Sequence, residues 1–333
     1  MSDQSTLLKR FLCNLFLFFL VQAAVFFLLL ARFNPDAEEN YLAATVDKHR
    51  RLAQTRPPRV ILVGGSNLAL GIQSDRLEVA LGRPVVNMGL AQGLGLEFML
   101  NEVQAAIGSG DTVVLSVEYN LLTGEYDKLA LEQVISYRPG NIRYLNYEQL
   151  TDLLIDHGLA LFCELARRAI YVDRSASLRF AEKQFPYARH GFNQRGDFTA
   201  HYGLAQTNMP SVLLADGTAP QINDTLLASA QVLGRLRVFA DCCRQRGAVV
   251  VYSCPPHPPD YLAQERPTLE AILNQLKEIR YLERIDRPED QVYPRDQFFD
   301  SIYHLTREGT TERTERLIRS LRKYLPELGA PRF

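Results

Sequence analysis

The chain has 333 residues, 47% of them hydrophobic, enough to bury a full core as one large domain or two small ones. Its 37 basic and 38 acidic residues leave a formal charge of −1 with no long block of either sign, which excludes the broad positive surface of a nucleic-acid binder. No internal repeat and no low-complexity tract occurs, so solenoids and disordered arrays are excluded as well.

The first element is apolar. From Phe11 to Ala31 there is no charge, and only Asn14 and Gln22 interrupt the run. As a helix this stretch would be about 30 Å long, the thickness of a bilayer's hydrocarbon core. Its exit, Leu30-Ala31-Arg32-Phe33, lacks the small-x-small pattern of a cleavage site. Lys9 and Arg10 before the span favour an amino terminus held inside. The expectation is a cytoplasmic tail (1–10), a single-pass anchor (11–31) in the cytoplasmic membrane, a short juxtamembrane helical segment (32–56) closed by Pro57-Pro58, and an external domain over 57–326. An external domain on a single anchor implies a bacterial envelope and a periplasmic address.

Four short apolar runs then have the character of buried parallel strands: RVILVG (59–64), PVVNMG (84–89), TVVLSVE (112–118) and AVVVYS (248–253). Helical spacing falls between them near 73–81 and 95–107, where Leu96, Met99, Leu100, Val103 and Ile107 share one face. Strand and helix in alternation predict an α/β fold, a doubly wound parallel sheet covered on both sides. The stretch 121–222 breaks the rhythm and is expected to be an insertion, with helices at 147–156 and 159–170 followed by a long irregular segment. A helix over 224–246 leads into the fourth strand. The last helix carries Leu317, Ile318, Leu321 and Leu325 on one stripe, with Asp300 and His304 just before it.

In an open parallel sheet, ligands bind at the carboxyl ends of the strands. Ser66, Asn87 with Gly89, Asn120, and Asp300 with His304 all fall there. An acyl-transfer site needs a hydroxyl, a base, a carboxylate to orient that base, and donors for the oxyanion. Each residue also has a plainer reading: Ser66 as a helix cap, Asn120 as a turn residue, His304 as a surface histidine.

Gly64-Gly65-Ser66-Asn67, Asn87-Met88-Gly89, Glu118-Tyr119-Asn120 and Asp300-x3-His304-Leu305 occur in this order at these strand ends. Together they resemble the four blocks of the SGNH (GDSL-type) hydrolase superfamily over roughly 57–120 and 245–325. With the anchor, the chain is similar to its membrane-bound branch, which includes the alginate O-acetylation proteins and the teichoic-acid D-alanylation protein. The resemblance implies a three-layer α/β/α, flavodoxin-like domain. It makes Ser66 the nucleophile, His304 the general base and Asp300 the residue that orients it. The oxyanion hole would combine the Ser66 and Gly89 amides with the Asn120 side chain, and Asn67, Asn87 and His257 are candidate substrate contacts. Departures are visible. Gly65 and Asn67 stand where the first block has Asp and Leu, and Glu118 and Leu121 replace the ends of the third. The family's carboxylate lies three residues before the histidine, where this chain has Ser301. Either the loop bulges to bring Asp300 in, or the set is a dyad.

Other segments point less far. Asp197 and His201 are four apart, but Gly196 and the local polarity predict a cleft-lining loop or a structural turn, and no metal site. SCPPHPPDY (253–261), which carries His257, predicts a rigid loop. The tyrosines of YRPGNIRYLNY (137–147) are expected to pack the insertion or to offer a sugar-stacking surface. Cys13, Cys163, Cys242, Cys243 and Cys254 form no metal-ligand spacing, and their pairing is left open.

The expected function is a serine esterase or O-acyltransferase acting on a cell-envelope or secreted polysaccharide through an acyl-serine, without metal or organic cofactor. Its partners would be an acylated glycan or acyl donor and, through the anchor, an integral-membrane acyl-transfer or export protein, with no nucleic acid. Two alternatives stand beside it: a degenerate scaffold or glycan-binding subunit, and a lipase-like enzyme that reaches membrane substrate.

Overall fold

The computed structural model describes residues 2–32, 40–158, 186–206 and 228–325. Helix α1 (Ser2–Arg32) comes first, and its stretch Thr6–Val25 is long and apolar enough to cross a membrane, with no part of it buried against the rest. After Asn40 a 3-10 turn (Tyr41–Ala44) leads into α2 (Thr45–Gln54). The segment after Asn40, expected to be juxtamembrane, does not stand apart. Ala43, Ala44 and Leu52 are buried, and Lys48 reaches into the domain.

The four apolar runs become β1 (Val60–Val63), β2 (Val85–Asn87), β3 (Thr112–Leu115) and β4 (Val249–Tyr252). A fifth strand, β5 (Leu282–Arg284), closes the sheet in the order β2-β1-β3-β4-β5, all parallel. The central register pairs Ile61 with Val86 and with Val113.

Because successive strand side chains point to opposite faces, the sheet sorts its residues in two. Val60, Leu62, Val114 and Val251 face Leu77 and Leu81 of α4 (Ser74–Leu81), and Leu317, Ile318 and Leu321 of a late helix. Ile61, Val63, Val113 and Val250 face α5 (Leu96–Gln104) together with Leu236 and Phe239, then Leu269 and Ile272, on two helices further along. Helices therefore cover both faces.

The insertion begins with α6 (Lys128–Tyr137) and α7 (Tyr147–Asp152). The expected helix at 159–170 and Cys163 lie outside the described residues. Helix α8 (Ala230–Gln245) precedes β4, α9 (Pro259–Lys277) follows it, and α10 (Arg307–Tyr324) ends the domain. The loop predicted for SCPPHPPDY is thus short: Pro259 opens α9 at a position where a missing N–H costs nothing.

Candidate active site

Strand β1 ends at Gly64-Gly65, and both glycines are required by close approach. A Cβ on Gly64 would stand 1.9 Å from the Ser116 carbonyl oxygen, and one on Gly65 would stand 2.3 Å from Glu118 Oε2. The turn presses against the end of β3 and delivers Ser66 to the first position of the short helix α3 (Ser66–Ala69). Gly65 occupies the capping position, so the Ser66 hydroxyl is not a cap. Every residue from Arg59 to Ile72 is buried except Ser66, which reaches solvent.

The Ser66 hydroxyl donates to Glu118 Oε1 at 3.4 Å, and the Asn67 N–H donates to the same oxygen at 2.9 Å. Among the described residues nothing accepts the Ser66 N–H. Glu118 is fully buried, and its Oε2 has no partner. Sequence reasoning marked Glu118 only as a departure from a motif. Its role under the serine depends on contact between β1 and β3, which no spacing reveals.

Behind this turn lies a buried arginine. Arg313 of α10 donates to the Asn67 carbonyl at 2.5 Å, to Asn67 Oδ1 at 2.8 Å and to Ser116 Oγ at 2.9 Å. Burial lowers its guanidinium to about 10, against opposing pulls from Tyr293, Asp286 and Glu118. Asn67 Nδ2 donates to the Ser116 carbonyl at 2.9 Å. The expectation that Asn67 contacts substrate is therefore corrected: its side chain is buried and committed to the interior.

Asn87 needs the same correction. It is fully buried, and its Nδ2 donates to the Leu68 carbonyl and to Asp197 Oδ1, each at 2.9 Å. Its Oδ1 accepts the Gly89 N–H at 2.9 Å, so that amide, expected in the oxyanion hole, already has a partner. His257 is also fully buried, in a backbone bridge to Val292, with neither ring nitrogen hydrogen-bonded. Burial lowers it to about 4. Asn120 sits at the solvent boundary in the 3-10 segment Tyr119–Thr123, with its Oδ1 buried and unpartnered.

The last loop brings Asp300 to His304. Phe298 and Leu305 pair as an antiparallel bridge, and the Phe299 N–H closes on the His304 carbonyl at 2.8 Å. Inside this turn Asp300 Oδ1 lies 2.6 Å from His304 Nδ1, so the four-residue spacing is accommodated by the bulge. A third residue joins them from the insertion. The Tyr187 hydroxyl donates to Asp300 Oδ2 and lies 3.3 Å from His304 Nδ1. Burial pushes the Asp300 carboxyl up, but the His304 and Tyr187 contacts outweigh it and hold it below the usual carboxylate value. With Nδ1 turned to Asp300, Nε2 is the nitrogen left for a substrate-side proton. Tyr187 carries no motif, and its place follows from the insertion's path.

Several contacts tie the two halves of the site together. The Phe198 N–H donates to the Ala69 carbonyl at 2.8 Å, His201 Nε2 lies 2.9 Å from the Leu305 carbonyl, and Thr310 Oγ1 donates to the Leu70 carbonyl at 3.0 Å. The Tyr41 phenol is pushed well above its ordinary value by burial and by the nearby charges of Glu118 and Asp300. Among the described residues no hydrogen bond joins Ser66 to His304.

The segment with Asp197 and His201 is a structural turn. Buried Asp197 accepts from the Ser74 amide at 2.8 Å and from Asn193 Nδ2 at 3.0 Å. Among the described residues no group of three or more His, Cys, Asp or Glu could hold a metal ion. Tyr144 is buried and stacked on His49 at 5.4 Å, whereas Tyr147 is exposed. Cys13, Cys242, Cys243 and Cys254 are free thiols. Compared with known families and with curated proteins, the chain matches no family model and no curated relative.

Proposed function

We propose that this chain is a membrane-anchored serine esterase or O-acyltransferase of the SGNH type, with a three-layer α/β/α domain outside the cytoplasmic membrane and an acylated envelope or secreted polysaccharide as substrate. One observation carries the reading: Asp300 lies 2.6 Å from His304 Nδ1 at the sheet end where Ser66 alone of its segment reaches solvent. In the first half-reaction Ser66 Oγ leaves Glu118 and attacks the acyl carbonyl while His304 Nε2 takes its proton. The Ser66 N–H and the Asn120 amide stabilise the oxyanion; the Gly89 N–H joins them only if Asn87 Oδ1 releases it. The tetrahedral intermediate expels the alcohol, which takes the proton from imidazolium. Water or a sugar hydroxyl then attacks the acyl-serine by the reverse route. Asp300 fixes the imidazole and stabilises its charge, and a membrane-embedded acyl-transfer partner would supply acyl groups to the transferase.

Two observations favour a second reading, a non-catalytic scaffold or glycan-binding subunit: Ser66 is hydrogen-bonded to Glu118, and the Gly89 amide is occupied. Intact mass of the detergent-solubilised chain after exposure to a short-chain fluorophosphonate separates the two. A single adduct, absent from Ser66→Ala and His304→Ala, is expected. A folded parent without an adduct makes the scaffold the better account.

A further inference from the structure

We infer that the carboxyl end of the sheet rests against the bilayer through an apolar patch on the insertion, which would present Ser66 to acyl groups or glycans carried at the membrane surface.

The first argument is connectivity. Asn40 follows Arg32, the last residue of α1, by eight residues, so the two ends stand no more than about 28 Å apart. The chain meets the domain at its catalytic end. Asn40 donates to Gln133 of α6 at 3.4 Å, and the Tyr41 hydroxyl donates to the Leu90 carbonyl, just past β2, at 2.8 Å. The Tyr41 ring stands 5.5 Å from Tyr187, the residue hydrogen-bonded to Asp300. An attachment at the opposite end of the strands would have turned the site away from the membrane.

The second argument is what that end exposes. Leu129 on α6, Tyr147 on α7, and Leu154 and Ile155 just after it are 56%, 83%, 60% and 80% exposed. They lie on neighbouring segments, because Tyr126 and Lys128 at the start of α6 bind Asp152 at the end of α7, next to Leu154 and Ile155. That surface is tied to the carboxyl end. The Asp127 N–H donates to the Gly93 carbonyl at 2.7 Å, and Asn146 Nδ2 donates to Glu97 at the start of α5 at 2.7 Å. Elsewhere in the described domain the large exposed apolar residues, Val79, Val238, Val249, Tyr281 and Tyr324, lie on five different segments, as on any soluble surface. Apolar side chains gathered on the face from which the anchor emerges suit the headgroup–acyl boundary.

The chain contains no tryptophan, so single reporters are unambiguous. Ile155→Trp and Val79→Trp would each be placed in the full chain and reconstituted in vesicles of equal parts phosphatidylcholine and phosphatidylglycerol, with and without bromine on the upper acyl carbons. The result expected is quenching of the indole fluorescence by at least half, with a blue shift, in the Ile155→Trp chain, and none in the Val79→Trp chain. No quenching at position 155, or equal quenching at both positions, overturns the docking. The consequence for substrate rests on the proposed role of Ser66 and has its own readout. Leu154→Asp with Ile155→Asp should lower labelling by a lipid-tailed fluorophosphonate in those vesicles about tenfold and leave labelling by a short soluble one unchanged. Equal labelling by the tailed probe in parent and variant overturns that consequence. Failure of the soluble probe alone would remove the functional reading while the quenching result stands.

Discussion

Asp300 and His304 face each other across a turn closed by the Phe298–Leu305 bridge, 2.6 Å from Oδ1 to Nδ1, with the Tyr187 hydroxyl on the other carboxylate oxygen. Asp300→Asn should slow fluorophosphonate labelling of Ser66 by about 10³-fold, within the range for a disabled base. Tyr187→Phe removes one hydrogen bond worth about 1 kcal/mol and should slow it about fivefold. Equal effects would mean that Tyr187 does more than hold the carboxylate.

Gly65→Ala and Glu118→Gln test the floor of the serine turn. The alanine Cβ would stand 2.3 Å from Glu118 Oε2, so Gly65→Ala is expected to lower stability by about 1–3 kcal/mol in urea unfolding and to abolish labelling. Glu118→Gln keeps an acceptor for the Asn67 N–H and removes a negative charge from beside the Ser66 hydroxyl, where the proposed reaction would develop an oxyanion. It should label several-fold faster than the parent. Slower labelling would assign the carboxylate a direct part in moving the Ser66 proton.

Arg313→Met leaves the Asn67 carbonyl, Asn67 Oδ1 and Ser116 Oγ without their donor in a buried site. A loss of about 3 kcal/mol is expected from unfolding curves, more than for any exposed arginine such as Arg319.

Lys48 gives a pH dependence. Burial lowers its ammonium from 10.5 to about 7, and the carboxylates of Asp197, Glu102 and Asp47 offset this only in part. Between pH 7 and 10.5 the unfolded chain binds a proton that the folded chain does not, so this group adds stability as pH rises through that window. The gain in urea midpoint between pH 6 and pH 9 should be larger in the parent than in Lys48→Met.

The buried histidines act at the other end of the scale. Burial lowers His201 and His257 from 6.5 to about 4, so stability falls as pH drops through that interval, where only the unfolded chain takes up protons. His257→Leu should flatten that loss by roughly half, read from thermal midpoints at pH 4 and pH 6.5.

How far the sequence could be read depended on how local each signal was. The first four strands are continuous apolar runs, buried throughout except at Val249, and their positions follow from the runs alone. Strand β5 escaped because it is a three-residue edge strand with only Leu282 buried. Helix α9 escaped because its prolines read as a loop, although Pro259 starts the helix and Pro267 sits within it. At the candidate site, Ser66 draws notice as the first residue of a short helix after β1, and Asp300 and His304 draw notice as an acid and a histidine four apart in one loop before α10. Asn67, Asn87 and His257 sat at the right positions, yet nothing local shows that their side chains turn inward. Glu118, Arg313 and Tyr187 needed contacts spanning 51 to 246 residues, which no periodicity records.

Lys48 donates to the Asn87 carbonyl at 3.0 Å and to the Gly196 carbonyl at 2.6 Å, one at the end of β2 and the other in the insertion. Any pull arriving along α1 would first meet Asn40, bonded to α6, and Tyr41, bonded beside β2, and then Lys48. The Lys48 clasp couples the end of β2 to the insertion, so a load on the segment after α1 would be shared between Asn87 and Gly196, and Asn87 is itself hydrogen-bonded to Leu68 in the serine turn.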